Sequence, residues 1–233
     1  MNRHPSMGRL IDRNRPLSFT FDGETYRGYH GDTLASALMA NGVRVIGRSF
    51  KYHRPRGIFG AGSEDPSALV QMRAGARAEP NMRATQVELY EGLVAHSQNN
   101  WPSLNWDLGA ALGLVSRFLP AGFYYKTFMW PGKFWPHYEH LIRNMAGMGR
   151  SAKAADPDHY EKRHAHCDVL VIGGGAAGRT AATEAAKDGS LVWLVDENAQ
   201  LEALDNVTTM ARTTAFGKYD DGLYGLVERT GDH

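Results

Sequence analysis

Gly173, Gly175 and Gly178 stand at G-x-G-x-x-G spacing, with Gly174 between the first two, inside CDVLVIGGGAAGRTAATEAAKDG, which begins at Cys167. Glycines so spaced suit a diphosphate. The first allows a tight turn out of a strand, the second lets backbone approach the phosphates, and the third lets the following helix lie close to the sheet. The helix N-terminus adds unpaired N–H groups and the positive end of a dipole. Asp196, about twenty residues beyond Gly175, is placed to accept hydrogen bonds from adenosine ribose hydroxyls, with Glu197 as the adjacent alternative. A carboxylate there repels a 2′-phosphate, which favours NAD or FAD over NADP. The competing reading is a glycine-rich turn that packs tightly and binds nothing.

Positioning these residues takes a strand, a helix and a second strand, and the sequence supplies all three within about thirty residues. Val169–Ile172 is a short apolar run. Ala176 to Lys187 is rich in strong helix formers and Asp188-Gly189 closes it, after which Leu191–Val195 is a second apolar run ending at Asp196. Asn198–Asn206 allows one brief helix, Leu201 to Leu204, before a third strand at Val207–Met210. That connection is barely the ~10–12 residues a parallel crossover needs. Thr213–Phe216 and Tyr224–Arg229 flank Asp220-Asp221-Gly222 as an antiparallel hairpin. Such a motif normally starts a sheet of roughly five or six strands, so the expectation is a dinucleotide-binding domain that begins and does not finish.

Upstream, residues 17–28 alternate apolar and polar around Asp22-Gly23, a hairpin signal. Asp32 or Thr33 can cap a helix through Leu34, Leu38 and Met39, Asn41-Gly42 stops it, and Val43–Ile46 reads as a further strand. Hairpin, helix and strand in this order open a β-grasp domain. Residues 48–72 read as a loop, either simply solvated or contacting an anion or partner through Arg48, Lys51, Arg54 and Arg56. Val87–Val94 suggests a strand. Aromatic residues crowd the span from Asn99 to Pro136, among them Trp101, Trp106, Phe118, Phe123, Tyr124, Tyr125, Phe128, Trp130, Phe134 and Trp135, which fits a segment pressed over another domain or subunit. Residues 137–149 read as a short helix and Ser151–His166 as a polar linker, whose His159, His164 and His166 with Cys167 lack the paired spacing of a zinc site.

Composition narrows the partners. A net charge of +1 gives no general attraction for nucleic acid or anionic membrane. The N-terminus has no apolar run of signal-peptide kind, and Leu108 to Tyr125, interrupted by Arg117 and Pro120, is a poor spanning helix. One cysteine excludes an intrachain disulfide and a cysteine-ligated cluster, and fits a reducing cytosol.

Taken together, DGETYRGYHGDTLASALMANGVRVIGRSFKYHRPRGIFGAGSEDPSALV, WPSLNWD, FYYKTFMWP, CDVLVIGGGAAG with LVDE, and RTTAFGKYDDGLYGLVER resemble the alpha subunits of heterotetrameric sarcosine oxidases, from about Arg9 onward. The resemblance implies a β-grasp domain related to two-iron ferredoxins, here without cluster cysteines in HRPRGIFGAGSEDP, and then a dinucleotide domain holding NAD. It implies that Gly173, Gly174, Gly175, Ala176, Ala177 and Gly178 form the diphosphate loop, that Asp196 and Glu197 hold the ribose, and that the backbone at Ala215 faces adenine. Sarcosine oxidation would occur at FMN and FAD carried by beta-type and smaller subunits, the one-carbon unit passing to tetrahydrofolate elsewhere and the electrons to oxygen as hydrogen peroxide. This chain is similar to the family but differs from it at Arg179, where an apolar residue is usual, and in lacking a stretch between Val195 and Val207 and everything after the hairpin.

The expectation is therefore an α/β protein in three blocks. A ferredoxin-like β-grasp domain without cluster cysteines spans 10–84, an aromatic-rich connecting segment spans 85–165, and an incomplete Rossmann-like domain spans 166–233. It would act in the cytoplasm as the NAD-binding N-terminal part of a sarcosine oxidase alpha subunit, with no catalytic or metal-binding residue of its own. FAD is the alternative cofactor. The alternatives for function are a truncated, non-catalytic remnant or interaction subunit, and a subunit of a related FAD-dependent amine or amino-acid dehydrogenase.

Overall fold

The computed structural model describes residues 3–114, 116, 122, 131–145 and 148–230, and the chain divides into two compact units, Met1–Pro157 and Asp158–His233. In the first unit, strand β1 (Asp12–Phe21) turns back into β2 (Glu24–His30) at Asp22-Gly23. Both turn residues have positive φ, +50° and +85°, the geometry whose twist matches the flanking strands. The alternation buries Phe19 and Phe21. Tyr26, directly opposite Phe19, adds an aromatic contact at 5.7 Å between ring centroids.

Helix α1 (Leu34–Ala40) lays Leu34, Ala35, Ala37 and Leu38 into the same core, while Met39 points outward and is 57% exposed. Thr33 is its cap: Thr33 Oγ1 accepts the Ser36 N–H and Ser36 Oγ accepts the Thr33 N–H, a reciprocal pair. Replacing Thr33 with alanine should lower the stability of this unit by about 1 kcal/mol, read as a lower thermal midpoint by circular dichroism. Asp32 has a different task. Its buried carboxylate takes two bonds from the Arg3 guanidinium, at 2.9 and 2.6 Å, and pins the N-terminal segment.

Short strands β3 (Gly47–Arg48) and β4 (Pro55–Arg56) pair with each other. Strands β5 (Leu69–Met72), β6 (Glu79–Arg83) and β7 (Leu93–Ser97) complete a five-stranded mixed sheet in the order β2-β1-β7-β5-β6, with β1 and β7 parallel. Three sequence expectations change here. Val43–Ile46 is not a strand. The 48–72 segment is not a continuous loop, because β5 buries Val70 and Met72 in the sheet. The strand expected at Val87–Val94 begins only at Leu93, since residues 90–92 are spent turning the chain. Helix α2 (Trp135–Met145) begins two residues before the expected 137–149. Much of the 108–125 span and of the aromatic segment, including Phe118, Phe123, Tyr124, Tyr125, Phe128 and Trp130, lies outside the described residues. Among the described residues no helix is long and apolar enough to cross a membrane.

The second unit follows its sequence closely. Strands β8 (Val169–Ile172), β9 (Val192–Val195) and β10 (Val207–Met210) form a parallel sheet in the order β10-β9-β8, and helix α3 (Ala176–Ala186) joins the first two. Ala182 of α3 is buried with Val192 and Leu194, and Val171, Leu201, Leu204 and Val207 pack around them. Strands β11 (Thr213–Lys218) and β12 (Tyr224–Glu228) make the expected hairpin. The brief helix expected at Leu201–Leu204 does not form. Instead the Leu204 carbonyl accepts the Val207 N–H at 3.4 Å as the chain turns into β10.

Candidate functional site

The carboxyl ends of β8 and β9 and the start of α3 converge on residues 173–178. Gly173 leaves β8 at φ +103°, a conformation that side chains oppose, and its N–H donates to the Val195 carbonyl at 2.8 Å. Gly178 is held by contact. A Cβ there would sit 1.8 Å from the Gly173 carbonyl oxygen, so helix and loop meet backbone to backbone. Gly175 faces the other way, with open space within 4 Å of where its Cβ would be, and with Ala176 and Ala177 it is exposed. The first-turn N–H groups of an α-helix have no intrahelical acceptor, so this open face is chemically suited to a diphosphate.

Asp196 is brought to the same place, but its carboxylate is engaged. Oδ2 accepts the Gly174 N–H at 2.5 Å and Oδ1 the Asn198 N–H. Glu197 follows it and is half-buried, its carbonyl accepting from Arg229 at 3.4 Å. Ala215 lies in a different sheet, on β11 opposite Leu226 of β12. Arg179, the odd residue of the motif, is half-buried on α3 and pairs with Glu202 at 2.5 Å. Leu201 and Glu202, which sequence reasoning did not assign to the site, thus border it from the connector between β9 and β10. A Cβ at Gly174 would come within 2.3 Å of Leu201 Cδ1.

Of the basic candidates in the 48–72 segment, Arg56 lies exposed on β4, and the other three make contacts within the chain. Arg48 gives Nε and Nη2 to the Leu104 carbonyl at 2.9 and 2.5 Å and Nη1 to the His53 carbonyl, fastening two loops together. Lys51 and Arg54 both lie over the Tyr52 ring, at 5.0 and 5.1 Å. Among the described residues no group of three or more His, Cys, Asp or Glu side chains could hold a metal ion. Burial, aided by the neighbouring Asp168 charge, raises the Cys167 thiol above its usual range, which disfavours the thiolate that a ligand or nucleophile would need.

Sequence reasoning also missed the organiser of the glycine-rich loop in the first unit. The buried carboxylate of Asp65 accepts four backbone N–H groups, from Phe59, Gly60, Ser67 and Ala68, at 2.6, 2.7, 2.7 and 3.0 Å. Burial works against its charge, yet these four donors together hold it below the ordinary aspartate range.

Comparison with known proteins places names beside this geometry. Residues 14–100 match the family model of a 2Fe-2S iron-sulfur cluster binding domain, and residues 168–209 that of an FAD binding domain. The chain is 53% identical over 99% of its length to the sarcosine oxidase subunit alpha of Rhizobium meliloti (strain 1021), spanning 26% of that protein. It is 31% identical to the subunits of the same name from Corynebacterium sp. strains U-96 and P-1, spanning 22% and 21% of them. The chain therefore covers about a quarter of the length of the curated relatives it matches. A solved structure of L-proline dehydrogenase from P. horikoshii shares the fold at 18% identity and a TM-score of 0.50, over 95% of this chain and 40% of that one.

One expectation is overturned. The model matched by the glycine loop is that of an FAD binding domain, so the assignment of NAD as cofactor is corrected to FAD. The glycine loop and terminal acid serve any ADP-containing dinucleotide, and nothing in that pattern reads the other half of the molecule. The residues present fit the FAD diphosphate: a strand-to-helix turn, an exposed Gly175 and a carboxylate at its margin. They do not fit an iron–sulfur cluster. Such clusters are held by cysteine thiolates, and the only cysteine of the chain, Cys167, lies outside residues 14–100.

Proposed function

We propose that this chain provides the ADP-binding part of an FAD site in a sarcosine oxidase alpha subunit, acting in the oxidative demethylation of sarcosine beside flavin-carrying beta-type and smaller subunits. The observation that carries the reading is the open face at Gly175, bounded by the first turn of α3 and by Asp196. The similarity to sarcosine oxidase alpha subunits over nearly the whole chain supports it. We read the second unit as Rossmann-like and the ferredoxin-like block of the first as a cluster-free β-grasp module, in a cytoplasmic protein.

In this proposal Gly173 to Gly178 and the first N–H groups of α3 hold the diphosphate, and Asp196 and Glu197 the ribose hydroxyls, with the backbone at Ala215 toward the adenine. FAD, when bound, supplies two-electron acceptor chemistry. The chain's own residues bind and orient; none is assigned a proton transfer. Partner dependence has its own support. In the second unit β8 is an edge strand, and Ile172, Phe216, Leu223 and Val227 are 54%, 59%, 58% and 48% exposed, apolar surface that suits covering by further protein.

The direct test is titration of the purified chain with FAD, followed by quenching of flavin fluorescence. Saturable binding with a Kd on the order of 10 μM is expected. FAD at about a hundredfold excess over Kd should stabilise the second unit by about 2.7 kcal/mol. No quenching and no thermal shift at saturating FAD would overturn the assignment.

A further inference from the structure

The connector from β9 to β10 lies over the corner of the glycine loop where the proposed site needs room. Three contacts describe it. Leu201 Cδ1 occupies the space beside Gly174, close enough that even a methyl group on that glycine would collide with it at 2.3 Å. The Asp196 carboxylate, which a ribose would need, is turned onto the Gly174 and Asn198 N–H groups. Glu202, the next residue after Leu201, pairs with Arg179 in the first half of α3. Gly175 stays open.

We propose that the connector Asn198–Asn206 is an internal cover for the adenosine end of the dinucleotide site. In the closed state Leu201 stands where the sugar edge must enter, and the Glu202–Arg179 pair latches the cover. This inference rests on the reading of residues 173–178 as a dinucleotide site.

The physical argument is one of competition. Leu201 packs against the Ala182, Val192 and Leu194 cluster, so closing the cover removes apolar surface from water. A ligand that needs the corner must displace that packing and release Asp196 from two backbone donors. Its apparent affinity therefore falls by the fraction of molecules that are open. Glu202 is 61% exposed and Arg179 34%, so the latch is weak, sensitive to salt, and secondary to Leu201. The cover is also anchored at its base, where the Asn198 carbonyl accepts the Arg212 N–H at 3.1 Å. It opens at its tip.

The experiment compares the full chain with Leu201→Ala and Glu202→Gln, using FAD and ADP as probes in fluorescence and calorimetric titrations. L201A should bind both about tenfold more tightly. E202Q should bind about twofold more tightly at low salt and the same as the unaltered chain at 1 M salt. Equal or weaker binding by L201A would overturn the cover and make Leu201 part of the floor of the site, while leaving the dinucleotide reading intact. If all three proteins bind neither probe, the dinucleotide reading fails and the cover with it. Should L201A lose its native circular dichroism, E202Q decides alone, because its side chain is exposed; an unchanged affinity at low salt then overturns the cover.

Discussion

Replacing Asp65 with asparagine should destabilise the first unit by about 3 kcal/mol, and its urea midpoint should fall accordingly. Each carboxylate oxygen accepts two backbone N–H groups, Oδ2 from Phe59 and Gly60 and Oδ1 from Ser67 and Ala68. Asparagine keeps one such oxygen and turns an NH2 donor toward the other two donors. Two N–H groups then face a donor, at the core-facing side of a loop whose next residues lead into the buried Ala68 and Val70. Each buried N–H without a partner costs about 1–3 kcal/mol. Glu64, next in the chain, accepts the Ala61 and Gly62 N–H groups from an exposed position. Its substitution by glutamine is the control and should move the midpoint little.

The same bonds fix a pH dependence. Because the folded-state pKa of Asp65 is lowered, its charge stabilises the fold above the unfolded aspartate value of about 3.9 and ceases to do so as the pH falls through the folded value. Acid should therefore weaken the first unit below about pH 4, and in D65N that part of the acid slope should be absent. An unaltered slope would show that the four donors do not respond to the charge. In a block that matches a cluster-binding family model and has no cysteine between residues 14 and 100, a buried carboxylate holds the glycine-rich loop in shape.

What could be read from the sequence was local. The hairpin at Asp22-Gly23, a helix start at Asp32 or Thr33 and the run from Val169 to Val195 each announce themselves within a few residues, through turn chemistry, a capping side chain or apolar strands; which of the two residues caps was settled only by the fold. Strands β5 and β7 did not, because each is short and takes its place by pairing with distant segments: Val70 with Ser97, and Phe19 with Leu93. In the candidate site, the placing of the glycines and Asp196 at one corner was legible from spacing. Leu201, Glu202 and Asp65 were not, since their roles come from where a connector folds back or which amides converge, and no spacing rule encodes either. The choice between NAD and FAD was hidden for a chemical reason: a glycine loop with a terminal acid reads only the half that the two molecules share.

Gly178→Ala should have the largest effect in the second unit, and its contrast with Gly175→Ala separates packing from binding. An alanine Cβ at 178 would lie 1.8 Å from the Gly173 oxygen and 3.0 Å from its carbonyl carbon, and backbone cannot rotate out of the way as a side chain can. Helix α3 must then shift off β8 or unwind its first turn, loosening the buried contacts of Ala182 with Val192 and Leu194. With so small a core, a cost of about 3 kcal/mol or more is enough to abolish cooperative unfolding of this unit, and FAD binding should vanish with it. At 175 the backbone has φ −68°, which alanine accepts, and its Cβ would meet nothing within 4 Å. G175A should fold like the unaltered chain while binding FAD at least about tenfold more weakly, because the added methyl group stands where the diphosphate must approach. Stable folding of G178A would refute the close helix–loop contact. Unchanged FAD affinity in a folded G175A would instead move the diphosphate away from this loop.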